Sequence, residues 1–199
     1  MANSKAQIFN IALNILGVSN PLENANCNDN RAILLNNYYK MARDYVLKDF
    51  DWNFASTYRE LSLVNVPYED NMSRYEFVFD YPNDCLFARD IFEKGCFKLT
   101  DFGISSREDG SLVILSHCKN AILRYTRRVE KEIYFSPEFS MALAYYLASL
   151  TSNVITGSIQ KGELAYQKYT KILKHAKAIN ASESIEEIYN TDTYLEARN

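Results

Sequence analysis

The chain has 199 residues and a mass of 23.0 kDa, enough for one domain or one domain carrying an insertion. Apolar residues at 47% and charged residues at 24% give a globular balance, with no apolar run near the roughly 20 residues that span a bilayer. A net charge of −3 and a pI near 5.5 argue against a basic domain built to grip DNA in a sequence-specific way.

The first predicted element opens at Ser4, which with Gln7 forms a capping box, and Ile8, Ile11, Ala12, Ile15 and Leu16 follow at helical spacing. Gly17 stands where a left-handed C-cap belongs. Asn20-Pro21 lies in a loop, after which Asn26 is the expected cap of a second helix with Asp29 in its first turn. Leu34, Leu35, Tyr38, Met41, Ala42, Tyr45, Val46 and Phe50 form the apolar stripe of that helix, opposite Asn37, Lys40, Arg43, Asp44 and Lys48.

At Asp51-Trp52-Asn53-Phe54-Ala55 the period changes from helix to strand, and the lone tryptophan marks the corner. Thr57–Val64 reads as a strand. Tyr75, Phe77, Phe79 and Tyr81 then alternate with Arg74, Glu76, Val78 and Asp80. Cys85–Phe92 follows, and Lys94-Gly95 and Asp109-Gly110 mark hairpins, the second joining Phe102–Ser106 to Leu112–Ser116. Ala121–Arg128 closes a sheet of five to seven short antiparallel strands.

Helices return at Ser136-Pro137-Glu138, an N-cap followed by proline at the first helical position. Phe139, Leu143, Tyr146, Leu147, Leu150 and Val154 hold one face, and Ala142, Ala144 and Ala148 permit close approach. Tyr145 interrupts that small-residue set and is a candidate partner contact. Gly157 ends this helix, and Ile159–Ile179 makes a fourth, with Ala165, Tyr169, Ile172, Leu173, Ala176 and Ile179 inward. Lys161, Lys168, Lys171, Lys174 and Lys177 are expected on a solvated face. From Ala181 the chain is too sparse in apolar residues to pack alone, and Ile185, Ile188, Tyr189, Tyr194 and Leu195 are the candidate partner-binding residues of an extended arm.

The fold class is therefore α+β: an antiparallel bundle of about four helices, an inserted antiparallel β region and an extended C-terminal tail. The boundaries are 1–55 and 134–180 for the two halves of the bundle, 56–133 for the β insertion and 181–199 for the arm. Fifteen tyrosines combine apolar area with a hydrogen-bonding hydroxyl, a composition suited to contacts between chains.

Arrangements that carry catalysis are not found. There is no GxxxxGK[ST], no GxGxxG and no GxSxG, and neither histidine has glutamate three residues before it, as a di-iron bundle requires. His117-Cys118 with Cys85 and Cys96 lacks the paired spacing of a zinc site, so no metal and no cofactor is expected. Cys27, Cys85, Cys96 and Cys118 form no CxxC and follow no signal peptide, which points to free thiols in a reducing cytoplasm. Asp49, Asp51, Asp80, Asp84 and Asp90 surround the helix–sheet corner. Two of them would suit acid–base catalysis, but turns and caps account for the same residues. Arg124, Arg127 and Arg128 are the nearest approach to a basic patch, offset by Glu130 and Glu132.

Five segments in fixed order carry a resemblance. Ala6 to Gly17 ends in a Leu-Gly step; Leu35-Asn36-Asn37-Tyr38-Tyr39 matches "LN..Y"; Asp51 to Ala55 matches "xWNFA"; Tyr81 to Leu86 matches "YP…DCL"; Phe139 to Gly157 matches "F..ALA…LA…ITG". Together they resemble the tail tubular protein A, or head-to-tail adaptor (connector), family of short-tailed bacteriophages. Asp51 replaces the family's frequent His or Pro before Trp52, and residues 181–199 match no family segment. The resemblance implies a non-enzymatic virion protein made in the host bacterial cytoplasm, a ring of twelve copies between the portal protein and the tail nozzle (tubular B) protein. DNA would pass through its lumen without specific binding, and no membrane is involved. The alternative is a DNA-engaging packaging or head-completion factor, for which Arg124, Arg127 and Arg128 are the candidates.

Overall fold

The structure, a computed structural model, describes residues 4–64, 74–95 and 98–188, with side chains as far as residue 178. The chain forms two units, Met1–Phe50 with Lys131–Asn199, and Asp51–Glu130. The β unit therefore begins and ends a few residues earlier than the expected 56–133.

The first unit is helical. In α1 (Lys5–Ile15) the Ser4 hydroxyl accepts from the Gln7 amide at 3.2 Å, and Gly17 leaves the helix at φ +80° while the Val18 amide donates back to Leu13. Phe9 and Leu13 are buried beside Ile8 and Ala12, so the packed face is turned from the expected Ile11 and Ile15 line. The second helix, α2 (Asn30–Asp49), is capped by Asp29 rather than Asn26. Asp29 accepts from the Arg31 amide at 2.8 Å and from its guanidinium, which holds the carboxyl down at about pKa 2. Asn26 instead closes a turn on the Asn24 side chain.

The buried line of α2 runs through Ala32, Leu35, Tyr39, Ala42, Arg43, Val46 and Leu47, while Met41 and Tyr45 are exposed. This is the expected stripe rotated by about one residue, or 100°. The turn goes that way because Tyr39 has partners inside: its ring meets Phe9 edge-on at 5.5 Å and the Lys5 ammonium at 4.6 Å, and its hydroxyl donates to Glu132. Arg43, expected on the outer face, is 5% exposed and bonds Asp44 at 2.8 Å.

Helix α3 (Pro137–Thr156) begins as its sequence dictates, with the Ser136 hydroxyl accepting from the Phe139 amide and Gly157 leaving at φ +65°. The other three helices all pack on it. Ala142, Ala144 and Ala148 are fully buried, as their size suggests, but Val154 is exposed. The buried Thr151 hydroxyl is satisfied by the Leu147 carbonyl. Helix α4 (Ile159–Ile188) turns Ala165, Tyr169, Leu173 and Ala176 inward. It continues past Ile179 through the first eight residues of the stretch expected to be extended. Residues 181–188 contain no proline or glycine and place Ile185 and Ile188 three apart, so nothing local stops the helix.

The second unit is antiparallel throughout. Its strands are β1 (Ser56–Glu60), β2 (Phe77–Asp80), β3 (Cys85–Glu93), β4 (Leu99–Thr100), β5 (Phe102–Ser106), β6 (Leu112–Ser116) and β7 (Ala121–Arg127). They make two sheets, β1-β7-β3-β4 and β2-β6-β5, instead of the single sheet expected. Phe79, Ile91, Ile114, Leu123 and Tyr125 are the large members of the core of this unit. Two sheets form because the strand at Thr57–Val64 breaks at Glu60: Ser56–Glu60 pairs with β7, while Ser62 and Val64 exchange backbone hydrogen bonds with β2. The Asp109-Gly110 hairpin forms as expected, with Ser106 opposite Leu112 and Gly110 at φ +81°.

Candidate functional site

The helical unit carries a cluster of tyrosines from three helices. Tyr45 of α2 lies flat on Tyr146 of α3, with ring centroids 4.7 Å apart and planes 5° from parallel. Tyr146 in turn meets Tyr169 of α4 at 5.1 Å, and Tyr169 meets Tyr166 at 5.8 Å. The Tyr169 hydroxyl is fixed by donation to Asp49 at 2.6 Å. Tyr169 is buried, whereas Tyr45 and Tyr166 are 43% and 45% exposed. Burial, then neighbouring acidic and phenolic groups, raise the pKa of Tyr45, Tyr146 and Tyr169, so all three stay neutral donors at physiological pH.

Such an array combines apolar area with polar tips, as the aromatic residues of interfaces between chains do. Sequence reasoning placed Tyr45 inward and passed over Tyr166. The available signal was the recurrence of tyrosine at 166 and 169, three apart on one helix, with the Tyr145-Tyr146 doublet on the helix before it.

A groove of about 340 Å³ lies on the same unit, lined by Ile15, Leu16, Tyr145, Lys161, Leu164 and Lys168 among others. Tyr145, a candidate contact in sequence, is half-buried in its lining. Lys161 is exposed but not simply solvated: its ammonium donates to the Leu16 carbonyl at 2.7 Å and so closes the C-terminal end of α1.

Arg124 and several of the carboxylate candidates of the β unit satisfy one another. Arg124 donates to Asp90 at 2.7 Å and forms a further close ion pair with Asp51. Burial opposes its charge, but the hydrogen bonds to Asp51 and Asp90 outweigh that and keep its pKa above the usual value. Arg89 bonds the Thr126 hydroxyl at 3.0 Å, and Asp84 accepts from Tyr125 and pairs with Arg59. Asp49 serves Tyr169, in the other unit. The carboxylates near the corner are thus structural partners, and Asp80 is an exposed strand end. Arg127 is half-buried, and the exposed Arg128, just past β7, donates its amide to the Asp84 carbonyl.

Cys85 and Cys118 are buried in the β core and Cys27 is half-buried, none of the three in a disulfide. Cys96 lies outside the described residues. His117 stands 5.0 Å from the Tyr75 ring, and among the described residues no group of His, Cys, Asp or Glu is placed to hold a metal. No described helix is long and apolar enough to cross a membrane. Of the partner-binding candidates, Ile185 and Ile188 fall on the last turns of α4, while Tyr189, Tyr194 and Leu195 lie outside the described residues.

No protein-family model matches the chain, and no curated protein sequence matches it.

Proposed function

We propose that this chain is a structural subunit of a short-tailed phage virion, assembling with copies of itself into an adaptor ring between the portal and the tail nozzle. The observation that carries the proposal is the tyrosine array on the helical unit, with Tyr45 and Tyr166 presenting aromatic surface outward. Val154, Ile159 and Leu164 on α3 and α4 are exposed as well. Rigid tyrosines lose little side-chain entropy on docking, so they favour repeated contacts between identical chains.

Three features support the same reading. The helical unit is assembled from both ends of the chain, leaving a β unit inserted between Phe50 and Lys131 as a second body for contacts. The five sequence segments that resemble the adaptor family are distributed over both units. Arg124, one of the three candidates for holding DNA, is occupied by Asp51 and Asp90, which favours a connector over a packaging factor.

The test is light scattering of the purified protein alone and after mixing with the portal protein of its phage. Monomers or weak oligomers that convert to a portal-bound ring of copies are expected. A chain that stays monomeric and unbound beside intact portal overturns the proposal.

A further inference from the structure

The chain from the start of α4 onward is electrically divided in sequence. Residues 159–178 hold five lysines against one glutamate, whereas residues 179–199 hold five acidic residues against Arg198 alone. The groove lined by α1, Tyr145 and α4 sits at the basic end. Its lining offers apolar side chains from Ile15, Leu16, Tyr145 and Leu164, two ammonium groups from Lys161 and Lys168, and no carboxylate. An occupant of matching chemistry carries bulky apolar residues next to acids. Tyr194-Leu195-Glu196, with Asp192 just before, has that composition.

We infer that this groove receives the C-terminal segment, residues 189–199, of a neighbouring copy. Reach decides between the chain's own segment and a neighbour's. Along α4, Lys168 is about 30 Å and Lys161 about 40 Å from Ile188, at about 1.5 Å rise per residue. Residues 189–194 stretched fully span at most about 22 Å. A chain doubling back on itself would therefore leave Tyr194 and Leu195 short of Leu164. A neighbour has no such limit, and a contact running from one copy's acidic end to the next copy's basic groove is head-to-tail, the type that propagates and closes into rings. The inference rests on the adaptor reading only in requiring that copies associate, and it names the surfaces that do so.

The test uses full-length chains. One variant carries Leu164→Cys, a 57% exposed groove position, and the other Tyr194→Cys. They are mixed at high protein concentration and oxidised. A disulfide-linked heterodimer is expected, several-fold above the background of wild-type thiols and above Leu164→Cys mixed with a hairpin-tip Asp109→Cys. Lys168→Glu on the groove variant should lower the yield several-fold, and Glu196→Lys on the other should restore it. Lys168 is chosen over Lys161 because Lys161 also closes α1. Cross-linking at monomer mass in the double variant Leu164→Cys/Tyr194→Cys, with none in the mixture, overturns the inference, as does a yield at control level or a failure of the charge swap. Rings that form on the portal without this cross-link would reject the inference and leave the adaptor reading standing. The cross-link without any portal-bound ring would do the reverse.

Discussion

The Tyr169 hydroxyl donates to the Asp49 carboxylate at 2.6 Å, joining the middle of α4 to the last residue of α2. A carboxylate at a helix C-terminus opposes the helix dipole, so the hydrogen bond offsets a local cost while it fixes the tyrosine array. Replacing Tyr169 with Phe keeps the ring stack and removes only the donor. The expected loss is about 1–2 kcal/mol, read as a lower denaturant midpoint with an unchanged slope. An unchanged midpoint would mean that the bond contributes nothing to the helical unit.

Gly162 is a point of close approach between α4 and α3. A Cβ there would overlap the Ser152 hydroxyl and stand 3.0 Å from the Ser149 carbonyl oxygen. Alanine gains about 1 kcal/mol over glycine in an open helix. Here backbone displacement should outweigh that gain, so Gly162→Ala is expected to destabilise by about 1–3 kcal/mol in thermal or chemical unfolding. A stabilised variant would show that the two helices are not held at this separation.

Arg124 tests the β unit. Its side chain is one-quarter exposed, and removing it leaves Asp51 and Asp90 without their shared cation. Arg124→Met should cost about 1–3 kcal/mol, below the figure for a fully buried pair because solvent reaches the site. Arg127→Gln with Arg128→Gln should leave retention of duplex DNA unchanged in filter binding, since a chain of net charge −3 holds little DNA at physiological salt. Strong, salt-sensitive retention lost in that double variant would favour the packaging factor.

Stability should fall steeply in alkali. Burial is the main cause that raises Tyr39, Tyr81, Tyr125 and Tyr169 above the ordinary tyrosine value, Tyr125 to about 12. A raised folded-state pKa means that the folded chain keeps protons which the unfolded chain releases above pH 10. The contribution is therefore complete below pH 10 and lost as pH rises from there through each folded-state value, about 12 for Tyr125. Asp29, lowered to about 2 by Arg31, acts oppositely: its contribution is present above the ordinary carboxylate value and lost as pH falls through about 2. Unfolding midpoints taken across both limbs, with tyrosinate absorbance followed in alkali, check both signs.

Local signals were legible where one residue type had one job. Ser136-Pro137 and Gly157 bound α3, and Asp109-Gly110 sets a hairpin, because cap and turn geometry is decided within a few residues. The inward face of α2 was not legible. Tyr, Met and Arg all suit either side, and the choice fell to Phe9, Lys5 and Glu132, which are distant in sequence. The two-sheet arrangement was hidden for the same reason, since Ser56 pairs with Thr126. The tyrosine array needed three helices in register before Tyr45 could be seen to stack on Tyr146. Lys161 looked like a solvated charge until α1 ended beside it.

Imaging the protein bound to the portal of its phage tests the central claim most directly. The account predicts a closed ring of copies around an open channel, with helical units in contact and Tyr45 and Tyr166 covered. A single copy on the portal, or a ring that leaves both tyrosines facing solvent, would contradict it.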